Sequence, residues 1–436
     1  MRAVLVILLS VLFFQAVAQE NVILNFDFGG KKKGFYPVIS KNGNQEKDGT
    51  IYRLYDTKVQ LVKRKAGSGE TNFLTSKTPF YFSLKVPEGN YRVTAVVGDT
   101  EGVSNTTIKA ESRRLMVYDH TITRTIDTVS FIVNVRSAKI NETDSILLKK
   151  REFDYLNWDE WLTLEFSGSQ PCIGALTIEP VSDIPTIFLT GNSTVVDQDK
   201  EPWACWGQMF PLFLKPEVVV ANFAESGETL KSFIREKRLQ KISSLIKPGD
   251  YLFMEFAHND QKSGANHVEP FTTYQEYLMK FVEFARENDA YPVLVTSTNR
   301  RVFDENGMIV NTLEEYPEAM RQLAKEENIA LIDLNVMSKA LYEALGPEDS
   351  KKAFVHYPAN SFSWQEKALA DDTHFNSYGA WQLAKAVTQA ILESELPLKS
   401  NVVENFGTYN PNQPDEFGNW KWPVSQQGSS SKPAGY

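Results

Sequence analysis

Pro185-Thr186-Ile187-Phe188-Leu189-Thr190 is a short, nearly continuous apolar run, and it leads straight into Gly191-Asn192-Ser193-Thr194. A strand covered on both faces has no reason to alternate apolar with polar residues, so such a run predicts a strand inside a parallel sheet. The pattern returns at Val218-Val219-Val220-Ala221-Asn222-Phe223, Tyr251-Leu252-Phe253-Met254-Glu255-Phe256, Pro292-Val293-Leu294-Val295-Thr296 and Ile329-Ala330-Leu331-Ile332-Asp333-Leu334. Helical segments fall between these runs. In one, Tyr274, Tyr277, Leu278, Phe281, Phe284 and Ala285 recur as a single apolar stripe. Strands alternating with such helices predict a βα-wound α/β domain over residues 182–397, with helices on both faces of the sheet.

Residues 19–181 read differently. Tyr91 to Val97, Phe131 to Val135 and Trp161 to Phe166 alternate, and turn residues such as Pro87-Glu88-Gly89-Asn90 and Ser167-Gly168-Ser169 separate them. Many short strands without a convincing helical period predict an all-β sandwich or jelly roll. Residues 398–436 turn rich in Pro, Gly, Asn and Ser and end Gln426-Gln427-Gly428-Ser429-Ser430-Ser431, which predicts a loosely ordered tail.

The first 18 residues set the expected compartment. Arg2 is a short basic start, Ala3 to Phe14 is apolar but for Ser10, and Ala16-Val17-Ala18 is a small-residue cleavage site. A mature chain beginning at Gln19, exported to the periplasm or beyond, is the expectation. No later segment approaches the ~20 apolar residues of a membrane span. The 436 residues are 42% hydrophobic and 23% charged, a globular composition. Lys plus Arg is 46 against 55 for Asp plus Glu, a net charge of −9, which argues against a nucleic-acid binder. Two cysteines, Cys172 and Cys205, give no disulfide framework and no C-x-x-C zinc pair. They read as separate buried thiols, with a bridge between them as the alternative.

In an open parallel sheet, ligands bind beyond the carboxyl ends of the strands. The first strand runs into Gly191-Asn192-Ser193-Thr194, the second into Ala224-Glu225-Ser226-Gly227 and the third into Ala257-His258-Asn259-Asp260; Asp371-Asp372-Thr373-His374 precedes a helical pattern from near Asn376. One rim therefore carries a serine, a glycine, an asparagine, and a histidine with a carboxylate three residues before it. A serine is a weak nucleophile until a histidine takes its proton, and the histidine needs a carboxylate to fix its tautomer. Backbone N–H groups and a side-chain amide can hold a developing oxyanion.

Gly191-Asn192-Ser193, Gly227, His258-Asn259-Asp260 and Asp371-x-x-His374 resemble, in order, the blocks of the SGNH (GDSL-like) hydrolases. Gly191 to Gln198, Pro202-Trp203, Trp206-Gly207-Gln208, Phe256 to Lys262 and the Arg300-Arg301 pair resemble more narrowly the rhamnogalacturonan acetylesterases. The resemblance implies a flavodoxin-like three-layer α/β/α domain that removes O-acetyl groups from an acetylated plant cell-wall polysaccharide, with no metal or organic cofactor. It implies Ser193 as nucleophile, His374 as general base and acid, and Asp371 as orienter, with Asp372 left open as the alternative. The oxyanion hole would be the backbone N–H groups of Ser193 and Gly227 with the Asn259 amide. Two positions depart from the pattern: Asn192 stands where aspartate is usual, and Ala257 where glycine is frequent. Asn25-Phe26-Asp27-Phe28-Gly29 and the β-rich body that follows are similar to galactose-binding-like jelly rolls that precede such esterases.

Several residues carry two readings. Arg300 and Arg301 fit a uronate carboxylate or a solvated loop pair. His258 reads as support for the Asn259 turn or as a substrate contact. Trp203 and Trp206 read as packing or as sugar platforms, and Tyr155, Trp158 and Trp161 as glycan contacts or padding. The basic stretch from Lys231 to Lys241 reads as a solvated helix face. Asn192-Ser193-Thr194 is a formal glycosylation acceptor, which must stay unused if Ser193 is the nucleophile. The competing functions are a methylesterase, an acetylesterase on another glycan such as xylan, and a glycan-binding protein on a decayed hydrolase.

Overall fold

The computed structural model describes residues 22–30, 32–38, 43–55, 58–66 and 69–434; the expected export segment lies outside them. The five apolar runs form one parallel sheet of Thr186–Gly191, Val219–Asn222, Tyr251–Glu255, Tyr291–Val295 and Ala330–Ile332, ordered second, first, third, fourth, fifth. Along the first strand Ile187 and Leu189 join one apolar cluster, with Tyr378, Leu383 and Val387 of helix Ser377–Glu393. Phe188 joins the opposite cluster, with Leu278 and Phe281 of helix Gln275–Glu287 and Leu323 of helix Tyr316–Glu326. Both faces are thus covered, which is why the runs carry no alternation. The strand order reverses beside the first strand, and a crevice opens at such a switch point past the carboxyl ends.

Among the described residues the N-terminal part is one eleven-stranded sheet. Its centre departs from the expectation of short strands, because Gly89–Ala110 and Arg114–Val135 are 22 residues each and form a single long hairpin. The alternation near Tyr91 marks only the start of the first, since bulges between Asp99 and Val103 interrupt the period of two. Gly98 sits there at φ +119°, where a Cβ would lie 2.4 Å from the Thr125 carbonyl oxygen, so only glycine fits. The segment 150–158 also holds two short 3-10 turns.

The two halves meet through buried charge. Arg114 Nε and Arg136 Nη2 lie 3.2 and 3.6 Å from Asp197 Oδ2, just beyond the Gly191-Asn192-Ser193-Thr194 block in the opposite half. Arg113 Nη2 donates to the Trp203 carbonyl at 2.9 Å. The stretch from Lys231 to Lys241 corrects its solvated reading: Arg238 is fully buried against Glu152 at 2.6–2.7 Å, and Lys241 is buried against Glu88 at 2.8 Å. Both charges read as surface because their partners lie 86 and 153 residues away. Cys172 and Cys205 are separate buried thiols.

The segment expected to be loose is packed. Asp415 binds Lys385 at 2.8 Å and accepts from Trp381 Nε1–H at 2.9 Å, while Trp420 stacks on Tyr118 at 4.7 Å. Further on, Lys109, wholly buried in the β half, donates to the Pro423 carbonyl, to Ser425 Oγ and to Glu165 at 2.6, 2.8 and 3.0 Å under the Trp422 ring. Trp422 Nε1–H and Ser425 N–H donate to Glu201 Oε1 at 2.9 and 3.0 Å. Two tryptophans and a buried lysine, not the surrounding Pro, Gly and Ser, decide how this segment lies.

Candidate active site

Gly191 ends the first strand, and Asn192 turns the chain so that its carbonyl accepts from Val195 and Val196 N–H at 3.1 Å each. Ser193 is thereby held at the carboxyl edge, its own carbonyl accepting from Gln198 Nε2 at 3.2 Å and from the Cys205 thiol at 2.7 Å. Asp371 and His374 arrive on Leu369–Phe375, which pairs with Phe354–Tyr357 in a separate two-stranded ribbon. Residues three apart on a regular strand face opposite sides. Here Val355 pairs with Asp371 while Phe354 pairs with Phe375, so the chain bulges between them and both side chains turn to one side. Asn376 then caps helix Ser377–Glu393, its Oδ1 accepting from Tyr378 and Gly379 N–H.

The result is a buried line of hydrogen bonds. Ser193 Oγ lies 2.9 Å from His374 Nε2, and His374 Nδ1 lies 2.9 Å from Asp371 Oδ2. Asp371 Oδ1 also accepts from Thr373 and His374 N–H at 3.0 and 3.1 Å, and Oδ2 from Trp203 Nε1–H at 3.4 Å. Burial by itself raises the Asp371 carboxyl, but the His374 ring and these N–H donors outweigh it and hold it well below the carboxylate range. Asp372, the alternative orienter, points away and binds Arg301 and His356.

The other block residues gather on the same rim. Gly227 takes φ +82° in the loop after the second strand. Asn259 Nδ2 donates to the Glu228 carbonyl at 3.0 Å and its Oδ1 accepts from Lys262 Nζ at 2.9 Å, which fixes the amide with one N–H to spare. Asp260 Oδ1 accepts from Leu230 N–H at 2.8 Å and so joins the second and third loops. His258 is buried with neither ring nitrogen in a well-formed hydrogen bond; burial, Arg300 and His374 push its pKa well down, so it is neutral. Arg300 donates to the Thr312 and His258 carbonyls at 3.2 and 3.3 Å. Arg301 is committed to Asp372 at 2.7 Å and the Pro347 carbonyl at 2.9 Å, so it ties the His374 strand to the loop after the fourth strand. Asn192 is wholly buried, which removes its sequon from any glycan.

Three residues have site roles that the sequence did not reveal. Trp203 touches Asp371, Lys262 holds Asn259, and Glu255 lies beneath the nucleophile loop. Glu255 Oε1 is 2.7 Å from Thr194 Oγ1 and Oε2 accepts from Trp206 Nε1–H at 2.6 Å. Burial pushes it up to about 7. A glutamate closing an otherwise apolar buried strand was the signal for it. Among the described residues no cluster of three or more His, Cys, Asp or Glu could hold a metal ion, and no helix is long and apolar enough to cross a membrane.

A sequence model of the GDSL-like Lipase/Acylhydrolase family matches residues 189–382. The rhamnogalacturonan acetylesterase RhgT of Bacillus subtilis (strain 168) is 46% identical over 223 residues, 51% of this chain and 95% of that protein. A second Bacillus subtilis protein, the uncharacterized esterase YxiM, is 26% identical over 409 residues, 90% of this chain and 97% of its own. The crystal structure of YxiM superposes with a TM-score of 0.45 at 23% identity, covering 85% of this chain and 98% of that one.

Proposed function

We propose for this chain, which belongs to the GDSL-like lipase/acylhydrolase family, the activity of a carbohydrate esterase that removes O-acetyl groups from a rhamnogalacturonan-type pectic polysaccharide or its fragments. The observation that carries the reading is the line Ser193 Oγ–His374 Nε2–Nδ1–Asp371, both contacts at 2.9 Å. The acetyl substrate follows from the similarity to RhgT. We read the 2-1-3-4-5 sheet with apolar clusters on both faces as a flavodoxin-like three-layer α/β/α body, and the long-hairpin sheet as a jelly-roll module before it.

Ser193 Oγ attacks the ester carbonyl carbon as His374 Nε2 takes its proton. Asp371 keeps the Nδ1–H tautomer and offsets the charge of the imidazolium. The oxyanion lies toward the backbone N–H groups of Ser193 and Gly227 and the spare N–H of Asn259. Collapse breaks the C–O bond to the sugar, whose oxygen leaves with the proton from His374. Water, deprotonated by the same nitrogen, then releases acetate and restores Ser193. Neutral His258 and the Arg300 side chain border this site, and Arg300 is the group suited to a neighbouring uronate carboxylate. The chain acts after export, its first 18 residues removed.

Acetate and methanol release from acetylated, methylated pectin fragments tests the reading in wild type, Ser193→Ala and His374→Ala. Acetate lost in both variants is the expected result. Methanol instead makes it a methylesterase, and neither product overturns the hydrolase.

A further inference from the structure

The segment from Lys149 to Tyr155 belongs to the β-rich half, yet the side chains of Lys149 and Arg151 end on the loop Glu225-Ser226-Gly227-Glu228 in the other half. Arg151 Nε and Nη2 donate to Glu225 Oε1 at 3.0 and 2.7 Å, and Nη2 donates also to the Ser226 carbonyl at 2.5 Å. Lys149 Nζ binds Glu228 and, at 2.6 Å, Glu236. Glu152, fully buried, anchors the segment on fully buried Arg238. From the opposite side the Glu228 carbonyl accepts from Asn259 Nδ2 at 3.0 Å, and Glu225 N–H donates to the Gly191 carbonyl at 3.2 Å.

The Ser226 carbonyl and the Gly227 N–H are two ends of one peptide group. A trans peptide is planar, with its C=O and N–H pointing in opposite directions, so whatever holds the oxygen aims the hydrogen. Gly227, at φ +82°, has little intrinsic preference of its own to hold that direction. We propose that Arg151 is a positioning residue of the esterase: by gripping the Ser226 carbonyl and Glu225, it aims the Gly227 N–H into the oxyanion hole. This rests on the reading of Gly227 given above. The β-rich half is then part of the catalytic apparatus rather than a separate glycan-binding module. RhgT uses 95% of its length on 51% of this chain, so it is too short to supply both halves.

The test uses the full chain with Arg151→Ala, Arg151→Lys and, as a control on the same segment, Phe153→Ala, whose ring is exposed. Each is assayed on an aryl acetate and on acetylated pectic oligosaccharides, with thermal unfolding and the affinity of an alkyl boronic acid, a tetrahedral mimic, measured alongside. Arg151→Ala should lower kcat on the aryl acetate about 10- to 100-fold at unchanged KM, the loss expected when an oxyanion donor is misaimed rather than removed. Boronate affinity should fall with kcat/KM, Arg151→Lys should recover part of both, and Phe153→Ala should change neither. A rise in KM for the oligosaccharide with aryl acetate kinetics untouched would make Arg151 a sugar contact and overturn the proposal. Losses that simply track a lowered Tm and vanish on cooling would overturn it as well. Wild type inactive on both esters, and unchanged from Ser193→Ala, would defeat the esterase reading itself. An active wild type with an unaffected Arg151→Ala defeats only this proposal.

Discussion

Glu255→Gln should leave the protein as stable as wild type in acid and more stable than wild type at alkaline pH. The reason lies in counting protons along one chain of contacts. Thr194 Oγ1 is 2.7 Å from Glu255 Oε1 and 2.9 Å from Asn192 Oδ1, and it has a single hydrogen to give. Asn192 Oδ1 can only accept, so the hydroxyl donates there and Glu255 Oε1–H donates to the hydroxyl. Glu255 therefore holds its proton in acid, in keeping with burial pushing it from 4.5 up to about 7. At pH 4 folded and unfolded chains both hold this proton and the site is neutral to stability. As pH rises, the unfolded chain releases it first, so stability falls between about 4.5 and 7 and levels off above. That interval of about 2.5 pH units, at about 1.36 kcal/mol each, comes to about 3 kcal/mol. Glutamine cannot titrate; its carbonyl accepts from Trp206 and its amide donates to Thr194, as the neutral acid does. In urea unfolding, the advantage of Glu255→Gln over wild type should grow by about 3 kcal/mol from pH 4 to pH 8. A difference that stays flat across this range would mean Glu255 is ionised when folded, and the proton count is wrong.

Asn192→Asp places a carboxylate against Thr194 and beside that buried acid, so it should cost about 1–2 kcal/mol above neutral pH by like-charge repulsion, a cost that Glu255→Gln in the same chain removes; urea unfolding at pH 8 checks it. Asp371→Asn keeps the packing but favours the wrong His374 tautomer, and kcat on an aryl acetate should fall about 10⁴-fold with an unchanged circular dichroism spectrum. Trp422→Ala uncovers Lys109 and takes a donor from Glu201, a loss of about 2–4 kcal/mol in thermal unfolding with little change in kcat until the protein begins to melt.

Apolar runs announced the parallel sheet because burial on both faces is a property of the strand itself. Tyr251 to Phe256 shows it in six letters, and the stripe from Tyr274 to Ala285 does the same for helix Gln275–Glu287. Ser193, Gly227 and Asn259 were legible for a similar reason, since each lies in the loop after a strand whose end is easy to place. Asp371 and His374 were placed only as preceding a helix, and their strand went unread because a bulge destroys the period that would have marked it. Long-range charge was illegible. Arg114, Arg136 and Arg238 look like surface residues in any local window, and only carboxylates far along the chain make their burial tolerable. The roles of Lys262 and Trp203 were missed because they depend on which atom of a neighbouring loop each side chain meets.

Lys109 and the Pro423 carbonyl it binds are 314 residues apart. During synthesis the lysine emerges long before the residues that cover it, and domains otherwise tend to fold as they are made. The β-rich half must therefore wait with a cation in its seam until the segment around Trp422 has arrived. Anything that holds back that segment, such as a bulky fusion placed just before it or a proteolytic nick upstream of Asp415, would trap an intermediate with both sheets formed and the join between them wet.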